Sequence, residues 1–133
     1  MPAFQNQQHA RDILRGFFQQ EAGEDDKIFA GSGLIVGYDL RDPDVHVILD
    51  ASKPPQAGKS YDVYVDDAGA PSPTVDFTLS ADDFDKLYKG EIQVMGLVMT
   101  GRAKAKGDMT AAMRLLPALA RVIPRYRKYR ETH

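Results

Sequence analysis

The stretch TGRAKAKGDM, Thr100 to Met109, decides how this chain is read. From Gly101 to Gly107 one alternating set is Gly101, Ala103, Ala105 and Gly107, and the other is Arg102, Lys104 and Lys106. Period-two alternation marks a half-buried strand. A strand packed on an ordinary core would carry Val, Ile or Phe on its inner face, and this one offers nothing larger than a methyl group. Two accounts fit: a helix packed very close on the alanines, or space kept for a guest. Met95, Met99, Met109 and Met113 flank the strand and are four of the chain's five methionines. Methionine is unbranched and polarizable, so it suits a wall that adapts to guests of varied shape as well as it plugs gaps.

Working outward, Asp108 is a candidate N-cap for a helix with Met109, Met113, Leu116, Leu119 or Ala120, and Ile123 on its apolar stripe. Arg114, Arg121, Arg125 and Lys128 form its basic stripe. Pro117 lacks the donor for the Met113 carbonyl and predicts a kink or break, and Pro124 is expected to end the regular helix. Upstream, Ile92, Met95 and Met99 predict a short helix, and SADDFDKLYKG predicts another, capped by Ser80, with Asp82, Asp83 and Asp85 in its first turn and Gly90 at its end. Before these lie four β-rich runs: the GSGLIVGYDL region, VHVILDA, SYDVYVDD and TVDFTLS. RDPD and KPPQAGK punctuate the first three as successive antiparallel strands. Ala10, Ile13, Leu14, Phe17 and Phe18 predict an amphipathic helix over residues 7–21.

With 133 residues, 43% of them hydrophobic, the expectation is a single domain over 1–133. Residues 1–25 would be an N-terminal helix with an acidic loop, and 124–133 a basic C-terminal tail. No cysteine is present, which excludes disulfides and thiolate metal sites. The N-terminus carries no leader pattern and no apolar run nears the roughly 20 residues of a membrane span, so a cytoplasmic protein is expected. The net charge of -2 hides a division: residues 1–101 balance at -9 and residues 102–133 at +7. The basic third could be an internally neutralised helix or a contact for anionic headgroups through Arg121, Arg125, Arg127, Lys128 and Arg130.

Several motifs fail on their own chemistry. KPPQAGKS has Lys53 where a phosphate-binding loop needs its first glycine, and it leads into a strand rather than a helix. GSGLIVG places its third glycine at 37, one position late for a dinucleotide fingerprint. His9, His46 and His133 have no metal-ligand spacing, and the chain is expected to bind neither metal nor cofactor. His46 and Asp50 would share a strand face about 13 Å apart, too far for a dyad. Asp25 and Asp26, Asp66 and Asp67, and Asp82 and Asp83 fall at turns or a helix start. YRKYR near the C-terminus interleaves basic and aromatic residues, but the acidic body would repel phosphates, and no nucleic-acid partner is expected. No nucleophile with an adjacent base appears, so catalysis is not expected either.

The segment TVDFTLSADDFDKLYKGEIQVMGLVMTGRAKAKGDMTAAMRLL resembles the sterol carrier protein 2 family. The likeness lies in a strand entering Thr-Leu-Ser and an acidic helix start, a Phe-x-x-Leu helix closed by Gly90, Gly101 eleven residues on, a Lys-rich strand, and Gly-Asp-Met before an apolar helix. It spans roughly residues 26–123. The resemblance implies an α+β fold with a five-stranded, mainly antiparallel sheet covered by helices around an apolar tunnel. It also implies a partner ligand that is a sterol, fatty acid, fatty acyl-CoA or phospholipid, bound without chemical change. The tunnel would be lined by Phe77, Phe84, Leu87 and Ile92, by Met95, Val98 and Met99, by Ala103 and Ala105, and by Met109, Met113, Leu116 and Ala120. An alternative occupant of the same groove is a partner helix or a second copy of the chain, giving a homodimer. After Gly90 the family often has Lys-Leu-Asn-Pro where this chain has Glu91, Ile92, Gln93 and Val94. Its second strand lacks tryptophan, and the Glu-Thr-His ending is not a peroxisomal signal, in keeping with a cytosolic, bacterial protein.

Overall fold

A computed structural model describes residues 2–23, 32–52 and 59–133. Helix α1 (Gln7–Ala22) buries the stripe Ala10, Ile13, Leu14, Phe17 and Phe18, and the Asn6 side chain caps it by accepting the His9 N–H at 2.8 Å. Strands β1 (Ile35–Arg41), β2 (Val45–Asp50) and β3 (Asp62–Val65) pair antiparallel in succession. Strand β4 (Val75–Ser80) then crosses to the far side of β1 and pairs with it in parallel. Strand β5 (Lys104–Gly107) closes the order β3-β2-β1-β4-β5, antiparallel to β4. The sheet is therefore open, five-stranded and mixed, with three of its four pairings antiparallel.

Between β4 and β5 lie α2 (Ala81–Tyr88) and α3 (Val94–Met99), and α4 (Met109–Arg114) and α5 (Leu116–Thr132) follow. Ser80 Oγ accepts the Asp83 N–H at 3.0 Å and Asp108 accepts the Ala111 N–H at 3.1 Å, so both sequence-predicted caps form. The break expected at Pro117 falls at Leu115, which leaves Pro117 in the first turn of α5, where its missing donor costs nothing. Gly107 holds a φ of +106, and a Cβ there would run into the Thr74 carbonyl, so only glycine lets β5 meet the start of β4.

One expectation fails: Pro124 lies inside α5, which runs on to Thr132. The carbonyl of Ala120, which Pro124 cannot serve, belongs to an exposed residue that water can reach, and the helix beyond is anchored. Tyr126 is fully buried and donates to Asp85 at 2.6 Å, while Arg130 donates to the Ala3 carbonyl at 2.7 Å and lies 4.7 Å above the Phe4 ring. Residues 124–132 are thus a packed helix end and not a solvated basic tail. Its charges are partly consumed within the fold: Arg125 grips Glu21 with two bonds of 2.7 and 2.9 Å, and Arg130 stands 3.8 Å from Asp85.

Candidate ligand-binding cavity

Strand register sets the floor of the site. Leu40 pairs with Leu79, Tyr38 with Phe77 and Phe77 with Ala105, and Val36 pairs with Val75, which meets Gly107. On this face bulk falls away from the central strands to the edge, because β5 contributes the small set met in the sequence. The Tyr38 and Phe77 rings stack, with centroids 5.8 Å apart and planes 24° from parallel, and Ala105 follows them in the same row. Above that edge a cavity of about 330 Å³ opens. Leu116, Leu119 and Val122 of α5 wall it on one side, Met95, Leu97 and Val98 of α3 on another, and Met109 and Met113 of α4 at its rim.

Of the residues anticipated from sequence, Phe77, Leu87, Met95, Val98, Ala103, Ala105, Met109, Met113 and Leu116 stand in this wall. Phe84 does not. It is fully buried in the ring cluster behind, 4.2 Å from Tyr88 between centroids. Ile92 packs against the main core, Met99 is 80% exposed at the outer end of α3, and Ala120 is exposed on the outer side of α5. The wall also holds Phe18, Tyr38, Leu49, Leu79 and Tyr88, together with a polar set, Glu21, Tyr61 and Arg125. Extending the period-two rows would have found Tyr38 and Leu79 beside Phe77. Glu21, Tyr61 and Arg125 come from three distant segments and left no local signal.

Two polar contacts lie in the wall. The Tyr38 and Tyr88 hydroxyls meet at 2.6 Å, and Glu21 neutralises Arg125. Burial pushes Tyr38 up to about 12, against a smaller opposing effect of its bond to Tyr88. Burial also raises Tyr88, reinforced by the neighbouring Tyr38, and raises Tyr61, reinforced by the charge of Glu21. All three phenols stay neutral at physiological pH. Across the sheet, His46 Nε2 lies 3.3 Å from Asp76 and not near Asp50, which instead accepts from the Ser52 N–H at 2.9 Å. Among the described residues no three His, Cys, Asp or Glu side chains gather as a metal group, and no helix is long and apolar enough to cross a membrane. The KPPQAG part of the failed phosphate-loop motif and the pair Asp25 and Asp26 lie outside the described residues.

An open mixed sheet covered by helices, with an apolar cavity at one edge, defines an α+β domain with room for a hydrophobic guest. The sequence profile of the SCP-2 sterol transfer family matches residues 14–120, and the chain belongs to that family. Lipid binding or transfer is the family's general role. Among solved structures the chain is similar to apo sterol carrier protein 2 from Yarrowia lipolytica, at 22% identity and a TM-score of 0.61, over 84% of this chain and 88% of that one. It is also similar to the sterol carrier protein domain 2 of Helicoverpa armigera, at 21% identity and 0.61, over 80% and 86%. The fold recurs as a segment of a larger enzyme, the inverting sec-alkylsulfatase Pisa1 from Pseudomonas sp., at 15% identity and 0.55, over 69% of this chain but 14% of that one. No curated protein matches the sequence significantly.

Proposed function

We propose that this protein is a cytoplasmic, non-catalytic carrier that shelters one hydrophobic ligand in the cavity above β5. The observation that carries the reading is the 330 Å³ space bounded by aliphatic, aromatic and methionine side chains, in which the charges of Glu21 and Arg125 neutralise one another. The volume sits at the small end of ligand pockets, roughly 300 to 1,000 Å³. At about 30 Å³ for each water-sized group it holds about eleven methylenes. This favours a single alkyl chain over the full bulk of a phospholipid. Burying about eleven methylenes at about 0.8 kcal/mol each gives about 9 kcal/mol. An association cost of roughly 4 kcal/mol or more leaves binding feasible without covalent chemistry. The neutral phenols and the placement of His46 beside Asp76, outside the cavity wall, argue against a base or nucleophile at the site. A chain without cysteine also loses nothing in a reducing compartment.

The exposed methionines around the mouth, with Lys104 at the rim and Lys106, Arg114, Arg127 and Lys128 exposed elsewhere, suit brief contact with an anionic surface during loading. Arg125 and Arg130 are less suited, being engaged with Glu21 and Asp85. Organic extraction of the purified protein followed by lipid mass spectrometry tests the reading, beside Ala105→Phe, which fills the cavity floor. Expected are a stoichiometric alkyl-bearing lipid in the native protein and at least tenfold weaker uptake of a fluorescent fatty acid in the variant, with stability within about 1 kcal/mol. A lipid-free protein that forms a tight dimer and takes up no probe would overturn the carrier and favour the protein-interaction reading.

A further inference from the structure

Two hydroxyl groups facing one another have two protons, and only one of them can lie between the two oxygens. The Tyr38 and Tyr88 oxygens are 2.6 Å apart, so one phenol donates and the other accepts, and the acceptor's own O–H proton is left to find a partner. Among the described residues neither oxygen has a second hydrogen bond. Tyr88 is buried at 4% exposure, and both residues stand in the cavity wall. An unmet donor in an apolar enclosure costs the full desolvation of the group unless something in the cavity accepts it. The rings packed on the pair, Phe18, Phe77 and Phe84, cannot accept, and Tyr61, which acts on both phenols through its charge, bonds to neither.

From this we infer that the Tyr38–Tyr88 hydroxyl pair is a recognition point for an uncharged oxygen, a hydroxyl or a carbonyl, on the buried end of a long-chain ligand. The inference rests on the carrier reading above and specifies the ligand's chemistry. Tyr38 lies on β1, two strands in from Ala105 on the edge strand, about 10 Å at the spacing of paired strands. An alkyl tail running outward from the pair over Phe77 and Ala105 ends among the methionines of the rim. The ligand therefore lies with its oxygen inward and its hydrocarbon toward the mouth.

Charge decides against an ionised head at this point. Burial keeps both phenols protonated, so the pair offers a donor and no positive charge. Of the two cations in the same wall, Lys104 stands at the rim on the edge strand, and Arg125 is already held by both oxygens of Glu21, so a second carboxylate brought there would meet Glu21's own negative charge. A neutral oxygen accepts one proton and requires no counter-ion.

Calorimetric titration with three probes of equal length, 1-dodecanol, dodecane and dodecanoate, tests the inference against Tyr38→Phe, Tyr88→Phe and the double variant. Each substitution preserves ring and volume, and circular dichroism confirms that the variants fold. Either single variant keeps one hydroxyl free to donate and should weaken dodecanol by about twofold or less. The double variant should weaken it about tenfold while changing dodecane less than twofold. In the native protein dodecanol should bind more tightly than dodecanoate. Equal losses for dodecanol and dodecane, no loss for dodecanol, or tightest binding of dodecanoate would each overturn the assignment while leaving the carrier intact. Failure of all three probes to bind would overturn both.

Discussion

The centre of the sheet and its β5 edge present the same face to the helices and are built in opposite ways. At the centre Leu40, Val45, Val47 and Leu79 lie under Phe17, Phe18, Phe84 and Tyr126, all of them 4% exposed or less. At the edge Ala103, Ala105 and Gly107 lie under methionines, of which Met95, Met109 and Met113 are 53 to 60% exposed. One end is packed to the density of a solid, and the other keeps its space empty and its cover adaptable. The protein thus grades from a packed centre that holds it folded to an edge free to take a guest, with Phe18 and Leu79 bordering both. In many domains a cavity must be carved from the core itself and costs stability there.

That division can be broken most sharply at the centre. Phe84→Ala should cost about 3–5 kcal/mol in urea unfolding, since a fully buried ring touching Phe18, Tyr38, Tyr88 and Tyr126 would leave a void. A loss below about 1 kcal/mol would mean the centre is as loosely filled as the edge. A smaller effect is expected in alkali. The folded protein holds Tyr38 and Tyr88 above the usual 10, so between pH 10 and about 12 the unfolded chain releases protons that the native state retains. Stability is then full below pH 10 and falls as pH rises through that window, by up to about 1.4 kcal/mol per pH unit for each such tyrosine. Urea midpoints at pH 9, 10.5 and 11.5 should show the decline, and Tyr38→Phe/Tyr88→Phe should lessen it, leaving the share of Tyr61 and Tyr126, which burial also raises. An unchanged slope in that variant would remove these two phenols from the account.

The central half was legible from sequence because its signals are local. Period-two and period-3.6 runs gave the five strands and α1, and Ser80 and Asp108 declared their helices through side chains that bond within three residues. The parallel pairing of β4 with β1 was not readable, since nothing in TVDFTLS records which neighbour it takes. Pro124 misled for a related reason: a local rule ends the helix there, but Tyr126 and Arg130 secure the next turns by reaching Asp85 and Ala3, 41 and 127 residues away in sequence. The small face of β5 pointed correctly to a gap in bulk. Phe84 and Met99 show the limit of that inference, because apolar character alone does not distinguish a residue facing the cavity from one behind it or outside it.

The smallest stability effect is expected at the rim, and there the comparison can be sharpened. Met109 and Met113 are already 54% and 60% exposed, so replacing either with Ser removes little buried surface and should change the unfolding free energy by no more than about 0.5 kcal/mol. Each side chain nevertheless borders the mouth of the cavity. In Met109→Ser/Met113→Ser the adaptable thioethers that cover an incoming chain are gone. Transfer of a fluorescent fatty acid to anionic vesicles should therefore slow severalfold while the urea midpoint stays in place. A loss of 2 kcal/mol or more, with transfer unaffected, would show that these methionines close over the alanines in solution as ordinary packing. The edge would then be solid like the centre, since groups already in water have no such stability to lose.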